Sequence, residues 1–322
     1  MISSVKVAAL GGGTGLSTML KGLKMYTRDI TAIVSVADDG GSSGMLRQDF
    51  GMLPPGDVRN CLSALSDIDP VLGDLMNYRF QEGSLKGHSL GNIMLAALNE
   101  TSGSFEEAVQ KFAHVLGIVG MVYPVTNENV TLKAVLSNNK TISGESNIGS
   151  YSEAVWNRID RVEIEPEKPQ PVEGAIRAIK KADVIVLGPG SLYTSIIPNL
   201  LVDGVTDAIR ESKALKIYVC NLMTQRGETE GYTAYDHLAA IEKHSYEGIA
   251  DMMIVNNATV PEYLLERYAE ENAVPVHIDA ENILKHTKLI QGNLLLIQDG
   301  HVRHNFSRLA RTVVQLGNEF KT

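Results

Sequence analysis

The sequence predicts a doubly wound, Rossmann-like α/β fold, with a mainly parallel sheet and helices on both faces. Three observations predict it. Val5 to Leu10, Ile30 to Val36 and Asp183 to Leu187 are nearly unbroken apolar runs, as strands covered on both faces must be. Each runs directly into a loop of glycine, hydroxyl or acidic residues rather than into a tight hairpin. Segments of helical apolar spacing, Leu16 to Tyr26 and Val172 to Lys181 among them, lie between the runs, as crossovers between parallel strands require.

The first strand exit is the richest in glycine. Gly11, Gly12, Gly13, Thr14 and Gly15 put four glycines in five residues between the strand and a helix beginning near Leu16. Such a loop leaves no side chain between the backbone and a ligand, and the helix start points free N–H groups and a positive partial charge at the same place. A tight turn alone would also suit glycine, but four exceed what a turn needs. The chemistry is that of a phosphate cradle, for a nucleotide or sugar phosphate. A Walker A loop is excluded, because Gly15 is followed by Leu16 and Ser17 where Lys and Ser or Thr are needed. A dinucleotide fingerprint fits in part. Leu16 stands where glycine or alanine is wanted, while Asp38 lies about where a ribose-binding acid belongs, so an NAD-like ligand stays open.

The second strand exits into Ala37-Asp38-Asp39-Gly40-Gly41-Ser42-Ser43-Gly44. Strand ends of an open parallel sheet gather on one edge, so Asp38, Asp39, Ser42 and Ser43 are expected to face the first glycine loop. The two carboxylates suit a divalent cation or a sugar hydroxyl, although paired Asp before Gly-Gly is also ordinary turn chemistry. Leu53-Pro54-Pro55-Gly56-Asp57-Val58-Arg59-Asn60 feeds a short helix with Asp57 placed as its N-cap, and Arg59 and Asn60 near the helix start can reach an anion. Gly87-His88-Ser89-Leu90-Gly91-Asn92 opens another helix, on which His88 and Asn92, four apart, share a face if the helix begins at His88.

Phe105 to Leu116 reads as helix. Residues 122–165 then change character, with short β runs at Thr131 to Leu136, Lys140 to Ile142 and Arg161 to Ile164 broken by Asn, Ser and Gly; they form a small β excursion inside a single domain spanning 1–322. Pro166 to Pro171 is a stiff connector. The run Asp183 to Leu187 exits into Gly188-Pro189-Gly190-Ser191-Leu192-Tyr193-Thr194-Ser195, a second loop of glycine and hydroxyls that offers amides and neutral donors to an anion. A third polar exit, Asn221-Leu222-Met223-Thr224-Gln225-Arg226-Gly227-Glu228-Thr229, follows the strand Lys216 to Cys220, and its amides and hydroxyls suit a base or a sugar. Asp236 to His244 is read as helix, Ala250 to Val255, Val274 to Ile278 and Leu294 to Ile297 as strands, and Ser307 to Leu316 as a closing helix. Before that helix, His301-Val302-Arg303-His304-Asn305 is a basic cluster with the composition of a solvated loop.

Composition narrows the class. A chain of 322 residues, 44% hydrophobic and 21% charged, is an ordinary globular protein with room for a substantial core. Its formal net charge of -9 argues against a nucleic-acid surface, and its two cysteines, Cys61 and Cys220, against a disulfide framework or a structural zinc. No run is apolar enough over sufficient length to span a bilayer, and no basic-then-apolar leader opens the chain, so a cytoplasmic location is expected.

The three glycine and acid loops, together with Leu53 to Asn60, Gly87 to Asn92 and Asn221 to Gln225, resemble the YvcK family of bacterial gluconeogenesis factors, related to the CofD family of 2-phospho-L-lactate transferases. The motifs occur in order from end to end of the chain. The resemblance implies a CofD-like fold and a cytoplasmic regulatory protein that binds a UDP-sugar of the UDP-N-acetylglucosamine type, with no obligatory cofactor. It also implies support of gluconeogenic growth and cell shape, a homodimer and a protein partner that reads the bound state. By resemblance, Gly11 to Gly15 form the phosphate loop, Asn221, Thr224 and Gln225 contact sugar or base, and Arg303 neutralises a pyrophosphate. Gly188, Gly190, Ser191, Tyr193 and Thr194 belong to the same set. The sequence departs at Asn305 and Phe306, where the family often has Asp and Thr, which removes a hydroxyl at position 306 as a regulatory site.

A second reading is an enzyme. The transferase relatives use a divalent metal held by acidic loop residues, by resemblance Asp38 or Asp39 with Mg²⁺, which would make the chain a nucleotidyl or phospho-group transferase with Asp57 or His88 assisting proton movement. The absence of a clear base and nucleophile pair favours binding without turnover.

Overall fold

A computed structural model describes residues 2–149 and 158–321. Its strands, in chain order, are β1 (Val7–Gly11), β2 (Ile30–Val34), β3 (Met121–Pro124), β4 (Thr131–Leu136), β5 (Thr141–Ser143) and β6 (Ile159–Glu165), followed by β7 (Val184–Leu187), β8 (Leu215–Val219), β9 (Met252–Asn256), β10 (Lys288–Gly292), β11 (Leu295–Gln298) and β12 (His301–His304). Seven of them make one sheet in the order β10-β9-β8-β7-β1-β2-β3. Every neighbouring pair is parallel. All residues of β1 and β7 are buried, which is why these strands read as continuous apolar runs.

The order of the strands fixes where a ligand can sit. From β1 the chain winds outward through β2 and β3, then crosses back to β7 on the other side of β1 and winds the opposite way to β10. The winding reverses between β1 and β7, and at such a switch point the two loops leaving the carboxyl ends diverge to opposite faces and open a crevice. Helix 13–23 packs with helices 56–65 and 306–321 on one face, and helices 173–181 and 205–211 pack together on the other. Asn199, fully buried, ties the two sides at this point by donating to the carbonyls of Gly11 at 3.1 Å and Ser195 at 2.8 Å.

Several elements differ from the sequence reading. β3 is an edge strand of the main sheet, so the excursion expected at 122–165 begins only after it, as the antiparallel sheet β5-β4-β6; residues 150–157 of that stretch lie outside the described residues. A strand's own periodicity says nothing about which sheet it joins. Val274 to Ile278 is no strand. It makes isolated bridges from Pro275 to Met223 and from His277 to Thr233, since Pro275 has no N–H for a ladder. The edge place is taken by β10, which the sequence reading missed, and β11 pairs with β12 rather than joining the main sheet. Gly41–Phe50 is a helix, although its opening Gly-Ser-Ser-Gly reads as loop, and so is Pro70–Asn77, whose cap Asp69 accepts from the Val71 amide at 2.8 Å. Among the described residues, no helix is long and apolar enough to cross a membrane.

Candidate functional site

The first glycine loop needs its glycines for different reasons. Gly13 adopts φ +63°, a conformation that side chains resist. A Cβ on Gly12 would stand 2.6 Å from Asp57 Oδ2, and one on Gly15 would stand 2.5 Å from the carbonyl oxygen of Pro189. The loop is therefore wedged between helix 56–65 and the loop that leaves β7. Gly11 is different. As the last residue of β1, it would accept a Cβ at an ordinary 3.5 Å from Leu16.

Asp57 is not the N-cap of its own helix. That position is held by Pro55, and Asp57 lies in the first turn with its carboxyl turned across to accept from the amide of Gly13. It caps helix 13–23, whose preceding residue, Gly12, has no side chain to do so. Burial raises the Asp57 carboxyl to about 6, with Asp38 adding to the rise and the Gly13 bond opposing it.

Above the switch point lies a cleft of about 530 Å³. It is lined by Gly12 to Gly15 from the first loop, by Gly190 and Ser191 from the second, and by Asn221, Thr224 and Gln225 from the exit of β8. Gln225 Nε2 donates to Ser191 Oγ at 2.7 Å and Asn221 Nδ2 donates to Gln225 Oε1 at 3.1 Å, so the second and third exits form one polar wall. Arg303 also lines the cleft. Its segment is β12 and not the solvated loop its composition implied: Val302 and His304 are buried while Arg303 between them is exposed, the alternation of a strand. His304 Nε2 donates to the Cys220 carbonyl at 3.1 Å, which fixes β12 against the end of β8; burial lowers that imidazole to about 4.

Arg226 and Glu228 line the cleft as well, and sequence reasoning did not single them out. The signal for both was their place in the third polar strand exit. Glu228 is nearly inaccessible, and its Oε1 accepts from Thr194 Oγ1 at 3.5 Å while the carboxyl also accepts from the Tyr193 amide. Burial pushes it up to about 7.

The other candidates lie outside the cleft lining. Gly188 ends β7 at φ +80°, and the Tyr193 hydroxyl is 2.7 Å from that of Tyr232 behind the second loop. Asp38 Oδ1 accepts from the Gly40 amide at 2.9 Å, and Asp39 Oδ1 from the Ser146 amide at 2.8 Å. Both thus carry the turn and capping bonds that their alternative reading allowed. Ser43 Oγ accepts from the Gly56 amide at 3.1 Å. Helix 90–100 is capped by Ser89, so His88 precedes it and shares no helix face with Asn92. The two nevertheless meet at Ser42, which is 3.1 Å from His88 Nδ1 and accepts from Asn92 Nδ2 at 3.0 Å. Arg59 is buried between amides, donating to Asn92 Oδ1 at 3.3 Å and to Asn77 Oδ1 at 2.6 Å, with Asn60 half-buried beside it.

Several carboxyls stand close enough to feel one another. Glu145 is pushed well above the usual range by burial and then by the charges of Asp38, Asp57, Glu228 and Asp39. Among the described residues, however, no three of His, Cys, Asp and Glu are placed to hold a metal ion.

A model of the 2-phospho-L-lactate transferase CofD family matches residues 7–295. The chain belongs to the CofD family. Within the CofD family it groups with the gluconeogenesis factors. That of Bacillus subtilis is 44% identical over 316 residues, covering 98% of each chain. That of Halalkalibacterium halodurans is 45% identical over 312 residues, 96% of this chain and 95% of the relative. A solved structure from Bacillus halodurans, described as a member of the upf0052 family, superposes with a TM-score of 0.93 at 44% identity, over 96% of this chain and 99% of that one. The CofD match runs through both glycine loops and the polar exit of β8, but it ends before β12, and so before Arg303.

Proposed function

We propose that the cleft binds a nucleoside diphosphate sugar of the UDP-N-acetylglucosamine type, and that the chain acts as a cytoplasmic regulatory protein of gluconeogenic growth and cell shape. A second copy of the chain and a protein that reads the bound state are its proposed partners. The observation that carries the reading is the meeting of the Gly12 to Gly15 loop and the Arg303 guanidinium in one cleft at the switch point. Helix-start amides and an exposed arginine suit a diphosphate, and the amide and hydroxyl wall of Asn221, Thr224, Gln225 and Ser191 suits a sugar or a base. The gluconeogenic role is the one for which the relatives are named. Isothermal calorimetry with UDP-N-acetylglucosamine, UDP-glucose, NAD and GDP, each with and without Mg²⁺, tests it. Saturable uridine-selective binding without turnover is expected; no binding of any UDP-sugar at millimolar ligand would sink it.

The carboxyls beside the first glycine loop support a second reading. A transferase of the kind named by the family would need carboxyls near a phosphate, and Asp57, at the Gly13 amide, is electrostatically coupled to Asp38 and Glu145. Preference for GDP that appears only with Mg²⁺ would favour this reading over the first.

A further inference from the structure

The two glycine loops at the switch point are not equivalent. The second was expected to offer its amides to an anion, but the protein supplies that anion itself. Glu228 sits against the start of the helical segment 192–200, where its carboxyl accepts from the Tyr193 amide and its Oε1 from Thr194 Oγ1. The site that a second phosphate or a carboxylate would seek at this helix start is taken. One acceptor is left over: Glu228 Oε2 is buried without a partner although the residue lines the cleft. A buried acceptor without a hydrogen bond destabilises the free protein, so a ligand donor that reached it would recover what the free protein forgoes.

The polar side chains that share the cleft with Glu228 are already engaged. Gln225 and Ser191 bond each other, Asn221 bonds Gln225, and no ion pair joins Glu228 to Arg226 or Arg303 among the described residues. Glu145 stands in the field of Glu228, as well as of Asp38 and Asp57. A second negative charge beside Glu228 would meet these carboxyls.

We propose that Glu228 sets the chemistry of the ligand group beside it: its free Oε2 takes a hydrogen bond from an uncharged donor, a sugar hydroxyl or an amide N–H, and a carboxylate is refused there. The proposal rests on reading the cleft as a nucleoside diphosphate sugar site. It places a neutral, hydrogen-bond-donating part of the ligand, its sugar, against Glu228. Discrimination of this kind combines an attractive contact with a repulsive one.

UDP-glucose and UDP-glucuronate differ only in the group at the sugar's sixth carbon, so they form the test pair, with UDP as the reference. Calorimetry at about pH 8, where Glu228 is largely ionised, is run on the unaltered chain and on Glu228→Gln, which keeps an acceptor for Tyr193 and Thr194 but loses the charge. The unaltered chain is expected to bind UDP-glucuronate at least roughly tenfold more weakly than UDP-glucose, and Glu228→Gln to close the gap to less than about threefold by gaining affinity for the glucuronate. If Glu228→Gln does not fold, Glu228→Asp serves instead. That variant withdraws the carboxyl by one methylene, and is expected to lose UDP-glucose affinity several-fold while still refusing UDP-glucuronate. Equal binding of the two sugars by the unaltered chain, or an unchanged gap in Glu228→Gln, overturns the proposal while leaving the nucleotide site standing. Failure of UDP itself and of both sugars to bind overturns the nucleotide site and the proposal together.

Discussion

His304 Nε2 donates to the Cys220 carbonyl at 3.1 Å, and this bond joins the last strand of the chain to the end of β8 at the middle of the sheet. Its effect is positional. Successive residues of a strand face opposite ways, so with His304 turned inward, Arg303 is presented to the cleft and to solvent. Because Arg303 is exposed, Arg303→Ala should fold normally and unfold at the same temperature as the parent. Its affinity for a UDP-sugar should fall by about tenfold or more, as expected for loss of a charge-assisted contact to phosphate. Calorimetry beside a thermal melt checks both halves, and full affinity in a folded variant would remove Arg303 from the site. His304→Ala should lower both stability and affinity, since it releases the strand that positions the arginine.

The glycine loop makes a graded prediction. At Gly15 an added methyl would meet the backbone oxygen of Pro189 at 2.5 Å, an atom that cannot swing aside, whereas at Gly11 the nearest atom is Leu16 Cβ at 3.5 Å. Gly15→Ala should cost about 1–3 kcal/mol through overpacking, and Gly11→Ala under about 1 kcal/mol. Gly12→Ala falls between. The atom it meets, Asp57 Oδ2, ends a side chain that can move, but moving it uncaps helix 13–23. Urea unfolding of the three variants reads the order directly; equal costs at positions 11 and 15 would contradict the wedged loop.

Glu228 gives a pH dependence with a definite sign. Its carboxyl stands at about 7 in the folded chain against 4.5 for a free glutamate, chiefly through burial. The folded state therefore holds a proton that the unfolded state has released. Stability from this group is fully present below the unfolded value and is lost as pH rises through about 7. The span corresponds to about 3 kcal/mol at most. Asp57, raised to about 6, and Glu145 act in the same direction. The unaltered chain should lose unfolding free energy between about pH 5 and pH 8, and Glu228→Gln, which cannot titrate, should lose less. Parallel curves for the two proteins would mean that Glu228 is ionised throughout.

Much of the fold was legible because its central strands are buried on both faces, which leaves a run such as Val184 to Leu187 no polar position. The cleft followed from the same fact, since the loops that line it are the ends of those strands. Less legible was anything set by a partner distant in sequence. Asp57 looks like a cap for the helix it opens, and only the fold brings it to Gly13. Glu228 is separated from Tyr193 and Thr194 by more than thirty residues of chain, and nothing local to any of them marks the contact. Likewise Asp38 and Asp39 read equally as turn residues and as ligands, and their bonds to Gly40 and Ser146 became visible only in three dimensions.

Arg59 offers the sharpest separation of structural from ligand-binding roles. The sequence placed it near an anion, yet the folded chain buries its guanidinium between Asn92 and Asn77, and burial lowers its pKa. Replacing it with methionine keeps the volume but leaves two amide oxygens without their donor. Arg59→Met should therefore cost about 1–3 kcal/mol in unfolding free energy. UDP-sugar affinity, measured where the variant remains folded, should change by less than about twofold, because Arg59 lies outside the cleft lining. Loss of affinity with unchanged stability would show the reverse, that the guanidinium leaves Asn92 and Asn77 to meet the ligand. The cluster of Ser42, His88 and Asn92 would then have to be counted as part of the site.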